Sequence, residues 1–327
     1  MTKLKILSRA SVESILTMRL CVDAMDEAMR AMSSNEVLTP LRLFAPIGEE
    51  RGVFALMPAA VAQPPFFGVK TVSLLHGNAA QGLPTIQGYV ALFSQETGAP
   101  LAIMDGVSLT AIRTAAASGV ATRELARDDS VTHGIIGTGV QAETHAKAIL
   151  EVRPNIKNTV IWGRTEAKAE ALAMQLSNEL SANVSAASLE QAASCDIVSV
   201  VTSSSAPVIN ADLVRPGAHV NLVGAHTPDT READTELIAS ARVYVDLLSA
   251  ALAEAGDIMI PLKECAFEES HIVGEIGQVL LNQIERRQTS DEITIFKSLG
   301  NAAQDLFAAA AVYENAVGSR QGTDVEF

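Results

Sequence analysis

Residues 133–142, His-Gly-Ile-Ile-Gly-Thr-Gly-Val-Gln-Ala, set an apolar run against Gly-x-Gly-x-x-Ala, and a helical pattern follows. That order specifies a strand, a tight turn and a helix packed back on the strand. Gly137 permits the turn, Gly139 lets the backbone approach a pyrophosphate, and the small Ala142 lets the helix close on the strand. Unpaired N–H groups at the helix start suit the phosphates. Gly137, Thr138, Gly139, Val140 and Gln141 are therefore expected to cradle a dinucleotide.

The end of the next strand, Ile161-Trp162-Gly163-Arg164-Thr165-Glu166, addresses which dinucleotide. Sites for NAD usually place an acid here to accept from the ribose 2′-OH. Arg164 stands in that place and, with Thr165, can hold a 2′-phosphate, so NADPH is expected over NADH. The alternative is a solvated Arg164 with Glu166 on the ribose. Thr202, Ser203 and Ser204 form a polar loop after the fourth strand of this half, at the sheet edge where a nicotinamide belongs. His226 follows the next strand at the same edge.

From Val131 onward strands alternate with helical stretches: His133 to Ile136, Ala142 to Val152, Thr159 to Trp162, Glu166 to Leu180, Ile197 to Val201, His219 to Val223 and Val243 to Leu247. This alternation predicts an α/β fold, a doubly wound parallel sheet with helices on both faces. The first third differs. A helix is predicted over Met18 to Met32, where apolar residues recur at helical spacing. Short β-rich runs follow at 41–47, 53–57, 66–75, 88–93 and 101–104, which suggests a largely antiparallel sheet in a mixed α+β domain. Ser108 is expected to cap an alanine-rich helix over 109–127. The domains are thus expected at 1–128 and 129–300, with the helical run in 301–327 returning to the first.

Charge and cysteine usage exclude several classes. A formal net charge of −14 opposes binding to nucleic acid or to an anionic membrane. Three cysteines, Cys21, Cys195 and Cys265, form neither a disulfide framework nor a metal motif, which suits a reducing cytoplasm. No signal peptide or membrane span is read. His76, His133, His145, His219 and His271 lack metal-ligand spacing, so no metal is expected.

Three cations stand where charge is costly. In the strand pattern Phe66 to Leu74, Lys70 shares a face with Phe66, Gly68, Val72 and Leu74, and a buried ammonium needs an acceptor. Arg113 lies among small and apolar residues near a helix start, the unfavourable end of the dipole for a cation. Arg42 is flanked by apolar positions. Edge-strand or solvated roles are the plainer alternatives for Lys70 and Arg42. Together the three suggest a small carboxylate substrate.

Several segments together resemble the ornithine cyclodeaminase/mu-crystallin family over nearly the whole chain. They are 55–58 (Ala-Leu-Met-Pro), Val69-Lys70, 83–88 (Leu-Pro-Thr-Ile-Gln-Gly), 110–116 (Thr-Ala-Ile-Arg-Thr-Ala-Ala), the glycine motif, and 298–306 (Ser-Leu-Gly-Asn-Ala-Ala-Gln-Asp-Leu). The resemblance implies a Rossmann domain joined to an N-terminal substrate and dimerisation domain, hence a homodimer. It also implies that Arg42, Lys70 and Arg113 bind the substrate carboxylate, with Met57 at the substrate. Two positions depart from the cyclodeaminase pattern: Ala55 replaces a glutamate, and His226 replaces the aspartate that engages a substrate amino group. The stretch 224–232, Gly-Ala-His-Thr-Pro-Asp-Thr-Arg-Glu, is instead similar to members that reduce cyclic ketimines. A cyclic imine has no free ammonium for an acid to hold, and a histidine can titrate near neutrality. The expected activity is NAD(P)H-dependent reduction of 1-pyrroline-2-carboxylate, and of 1-piperideine-2-carboxylate as its homologue. Lys70 and His226 are the expected catalytic residues, His226 either donating the proton or lining the pocket. A cyclodeaminase, an open-chain amino-acid dehydrogenase and a non-catalytic crystallin-like NADPH binder are the alternatives.

Overall fold

A computed structural model describes residues 3–48 and 51–326. The chain forms two compact units, residues 1–113 with 300–327, and residues 114–299. In the first unit an eight-stranded sheet runs in the order Thr323–Glu326, Lys3–Leu7, Pro100–Asp105, Ile86–Ser94, Phe66–Leu75, Gly52–Val61 and Val37–Leu38, with Leu43–Ile47 also paired to Gly52–Val61. Pairing is antiparallel except between Lys3–Leu7 and Pro100–Asp105.

Helix Met18–Ser33 buries Cys21, Val22, Met25, Met29 and Met32, the periodic face of its sequence. It packs against helix Ala302–Ser319, which is buried over nearly all of its first three turns. Alanine suits this position because close helix and sheet neighbours leave no room for larger side chains. The Asn301 side chain caps that helix by accepting from the Gln304 N–H at 3.2 Å.

The boundary expected at 128 lies elsewhere, inside helix Gly106–Leu125. Its early turns join the first unit through Arg113, which pairs with Asp305. Its later turns join the second, where Ser118 Oγ meets His145 Nε2 at 2.9 Å and Thr122 Oγ1 accepts from Asn221 Nδ2 at 3.0 Å. Ser108 is not the cap that the sequence suggests. The helix begins at Gly106, and the Asp105 carboxylate accepts from the Ser108 N–H at 2.8 Å.

The second unit is built on eight strands, all parallel, in the order Val184–Ala186, Asn158–Trp162, Thr132–Ile136, Ile197–Val200, His219–Leu222, Thr294–Lys297, Arg242–Val245 and Ile272–Glu275. Successive strand residues face opposite sides. Accordingly Ile135 packs with Ala142 and Ala146, while Ile136 joins a separate cluster with Leu237 and Ile258, so both faces are covered. Strand order reverses between Thr132–Ile136 and Ile197–Val200, the switch point at which such sheets bind ligands.

Candidate active site

At the carboxyl edge of the switch point in the second unit lies a cavity of about 430 Å³. Its lining comprises Gly137 to Gln141, Arg164, Thr165, Thr202, Ser203 and Ser204, with Trp162, Gly163 and Lys168 beside them. Gly137 takes φ +134°, a conformation that needs glycine, while a Cβ at Gly139 would meet nothing within 4 Å. Gly139 caps helix Val140–Val152 and has no side chain to accept from its first N–H groups, and Val140 and Gln141, the first two helical residues, line the cavity. This arrangement fits a pyrophosphate, with the dipole of a thirteen-residue helix behind it. Arg164 and Lys168 are exposed one helical turn apart, as is Thr165. Lys168 was legible as a further cation four residues beyond Arg164, yet only the cavity assigns it to this site.

In the first unit the cations converge on an acid. Lys70 and Arg113 are each 4% exposed and Asp305 is 1% exposed. Lys70 Nζ lies 2.6 Å from Asp305 Oδ2, and Arg113 Nε lies 2.9 Å from Asp305 Oδ1. Arg113 also donates to Gln304 Oε1 at 3.0 Å, and Lys70 to Thr110 Oγ1 at 3.4 Å. Gly300, at φ +72°, lets the guanidinium lie against the backbone where any Cβ would collide with it. Arg42 is half-buried just ahead of strand Leu43–Ile47, its guanidinium 5.8 Å from the Phe44 ring. Met57 is buried and pairs in register with Lys70 on the adjacent strand.

Two buried cations against one buried carboxylate leave a positive excess, which a bound carboxylate would neutralise. Burial lowers the Lys70 ammonium to about 8; Asp305 opposes that shift, while Arg113 and Arg42 reinforce it. Burial acts to raise Asp305, but Arg113 and Lys70 together hold its carboxyl below the usual range. Ala55, on the same strand as Met57, is buried and supplies no acid.

His226 is exposed in the turn after strand His219–Leu222, and its Nδ1–H donates to the Gly224 carbonyl at 3.0 Å. Next to this turn lies a buried ionic cluster absent from the sequence reading. Glu232 is fully buried, and its Oε1 accepts from the Thr202 N–H at 2.8 Å and the Thr202 hydroxyl at 2.7 Å. Thr202 therefore turns its hydroxyl inward, toward Glu232. Asp257 Oδ1 accepts from the Glu232 N–H at 2.7 Å, and Asp257 Oδ2 pairs with Lys297 Nζ at 2.9 Å. Burial pushes the Glu232 carboxyl up to about 7, with Lys297 acting to hold it down. The sequence signal was faint: Glu232 closes a polar turn, Asp257 sits in the first turn of the largely apolar helix Gly256–Lys263, and Lys297 closes an apolar strand.

The buried histidines are structural. Burial holds His133 and His219 neutral at about 3 and His145 at about 4, each hydrogen-bonded inside the second unit. Among the described residues, no group of His, Cys, Asp and Glu could hold a metal ion. Among them, too, no helix is long and apolar enough to cross a membrane.

A model of the ornithine cyclodeaminase/mu-crystallin family matches residues 2–320. The chain belongs to that family. Within the ornithine cyclodeaminase/mu-crystallin family, it is 38% identical to a Delta(1)-pyrroline-2-carboxylate reductase of Bacillus cereus over 303 residues, covering 92% of this chain and 93% of that one. Thermococcus litoralis Delta(1)-pyrroline-2-carboxylate reductase, solved in complex with NADH and L-proline, superposes with a TM-score of 0.94 at 36% identity, covering 98% of this chain and 100% of that one. An archaeal alanine dehydrogenase dimer with bound NAD gives a TM-score of 0.94 at 32% identity, covering 100% of each chain.

Proposed function

We propose that the protein is an NAD(P)H-dependent oxidoreductase that reduces a cyclic ketimine carboxylate, 1-pyrroline-2-carboxylate to L-proline, and the six-membered homologue to L-pipecolate. The observation that carries this reading is the buried Lys70–Asp305–Arg113 set, with its excess of one positive charge. It suits one substrate carboxylate. Ala55 and His226 stand where an acid would be needed to hold a free substrate ammonium, which argues against a cyclodeaminase. The reductases from Bacillus cereus and Thermococcus litoralis support the same assignment.

In this reading Lys70, Arg113 and Arg42 bind and orient the carboxylate, and Met57 gives the ring an apolar contact. The reduced nicotinamide supplies a hydride to the imine carbon when bound. The imine nitrogen takes a proton, and protonation makes the carbon electrophilic. His226 takes a proton from solvent at Nε2 and passes it to the imine nitrogen, while its Nδ1–H stays committed to the Gly224 carbonyl. Gly137 to Gln141 hold the pyrophosphate, and the Thr202–Ser204 loop borders the nicotinamide. A reducing cytoplasm, in which Cys21, Cys195 and Cys265 stay free thiols, suits the chain.

NADPH is the preferred cofactor in this proposal, since Arg164 and Lys168 together suit a 2′-phosphate. Initial rates with NADPH and NADH against both cyclic imines, open-chain oxo acids with ammonia, and L-ornithine test the whole reading. Oxidation of the cofactor with the cyclic imines alone is expected. Arg164→Ala should raise KM for NADPH by about 10-fold or more and leave that for NADH nearly unchanged. A silent enzyme with both imines would refute the activity, and a wild-type preference for NADH would refute the role of Arg164.

The working form is a homodimer. Leu43 and Tyr89, which share one face of the first unit's sheet across Leu56 and Thr71, are 55% and 43% exposed, an apolar surface that a second copy would cover. Light scattering at micromolar concentration should return twice the chain mass of 34.4 kDa. A monomer mass would contradict this.

A further inference from the structure

The Glu232 carboxylate serves two turns at once. Its Oε1 takes both donors of Thr202, at the proposed nicotinamide edge, and its Oε2 accepts from the Gly224 N–H at 2.5 Å and the Ala225 N–H at 3.3 Å. The peptide that joins Gly224 to Ala225 is thus held from both ends. Its N–H donates to Glu232, and its carbonyl accepts from His226 Nδ1. A carboxylate on the N–H side polarises the peptide and enriches its carbonyl oxygen in negative charge. That oxygen becomes a stronger acceptor for the imidazole. The effect on His226 is that of a carboxylate partner placed one peptide away.

The charged groups around Glu232 close a ring. Asp257 takes the N–H groups of Glu232 and Ala233 at 2.7 and 3.0 Å. Asp257 pairs with Lys297, whose Nζ donates to the Ala225 carbonyl at 2.6 Å. Both sides of Ala225 are therefore fixed by buried charge. An apolar set of like volume would serve the core as well, but only an anion can accept four donors from two turns. Three of those donors are backbone N–H groups, which have no acceptor capacity, so they favour the ionised form and work against the burial that raises the carboxyl.

We propose that Glu232 is a positioning residue: it fixes the Thr202 turn and, through the Gly224–Ala225 peptide, holds His226 as the Nδ1–H tautomer with Nε2 free for the proton step. This rests on the reductase reading, in which the Thr202 turn borders the nicotinamide and His226 supplies the proton. A histidine side chain free in water favours the opposite tautomer, with the proton on Nε2. The protein is expected to invert that preference only while Glu232 is in place.

The test is ¹⁵N-imidazole NMR of the full-length protein at about pH 8.5, above the ordinary histidine range, with His226 assigned by the signal lost in His226→Gln. Wild-type His226 should be mainly the Nδ1–H tautomer. In Glu232→Gln the Nε2–H form should become comparable or dominant, and kcat with the cyclic imine should fall about 10- to 100-fold while KM for the cofactor moves less than about threefold. Glu232→Asp, which withdraws the carboxylate by one methylene, should shift the tautomer in the same direction and covers a Glu232→Gln that does not fold. A wild-type His226 that is mainly Nε2–H overturns the proposal, as does an unchanged tautomer in both variants. A tautomer shift with kcat intact overturns the role in turnover. The tautomer is read without substrate, so it stands or falls separately from the imine activity.

Discussion

Lys70→Ala is expected to lower kcat/KM for the cyclic imine by about 10²- to 10³-fold while the dissociation constant for NADPH changes less than about twofold. Truncating one partner of a buried charge pair costs about 2–5 kcal/mol, and Lys70 is one of the two buried positive groups proposed to hold the carboxylate. The fold should survive, since Asp305 keeps Arg113 as its partner. Initial rates and cofactor titration check both halves, and intact turnover would contradict the assignment. A matching pH dependence is expected of the wild-type enzyme. Burial lowers Lys70 to about 8, so its positive charge is present below that pH and is lost as pH rises through it. Inhibition by pyrrole-2-carboxylate, whose ring does not titrate in the working range, should weaken by up to about tenfold per pH unit above pH 8. An inhibition constant flat to about pH 9.5 would show that the Lys70 charge is dispensable for binding.

Asp305→Ala should be the most destabilising single change at the site. It leaves Lys70 and Arg113 buried without their shared acceptor, a class of loss worth about 3–5 kcal/mol. Part of this is relieved because Lys70 can release its proton, whereas Arg113 cannot. A fall in melting temperature of roughly 10 °C is expected, with Asp305→Asn losing less because it keeps one acceptor. Calorimetry with and without L-proline checks this. A melting temperature within about 2 °C of wild type would show that solvent or another group already compensates the cations.

The two halves of the chain were legible to different degrees. Elements of the second unit follow the expected runs closely: helix Glu166–Leu180 agrees at both ends, and the strand expected at His133 to Ile136 begins one residue earlier. Each is a complete period-2 or period-3.6 pattern bounded by its own turn. In the first unit, strand Phe66–Leu75 is equally clear, but two other strands of its sheet, Lys3–Leu7 and Thr323–Glu326 at the chain ends, are short. Their register, Lys3 opposite Glu326, joins residues from the two ends of the chain. No local pattern carries that information. The start of helix Gly106–Leu125 was misplaced because Asp105, the last residue of a strand, also serves as the acceptor for the helix's first turn.

From the sequence alone came the dinucleotide cradle, since a glycine motif works through the backbone of consecutive residues, and the three cations, since charge inside an apolar period is visible without knowing its partner. The tertiary structure decided what those cations meet. Asp305 lies 192 residues from Arg113, in an alanine-rich helix whose apolar pattern masks the acid. Glu232, Asp257 and Lys297 likewise become one cluster only when the strand edges of the second unit converge. Backbone motifs are written in neighbouring residues, whereas the compensation of buried charge depends on contacts made only when distant segments pack together.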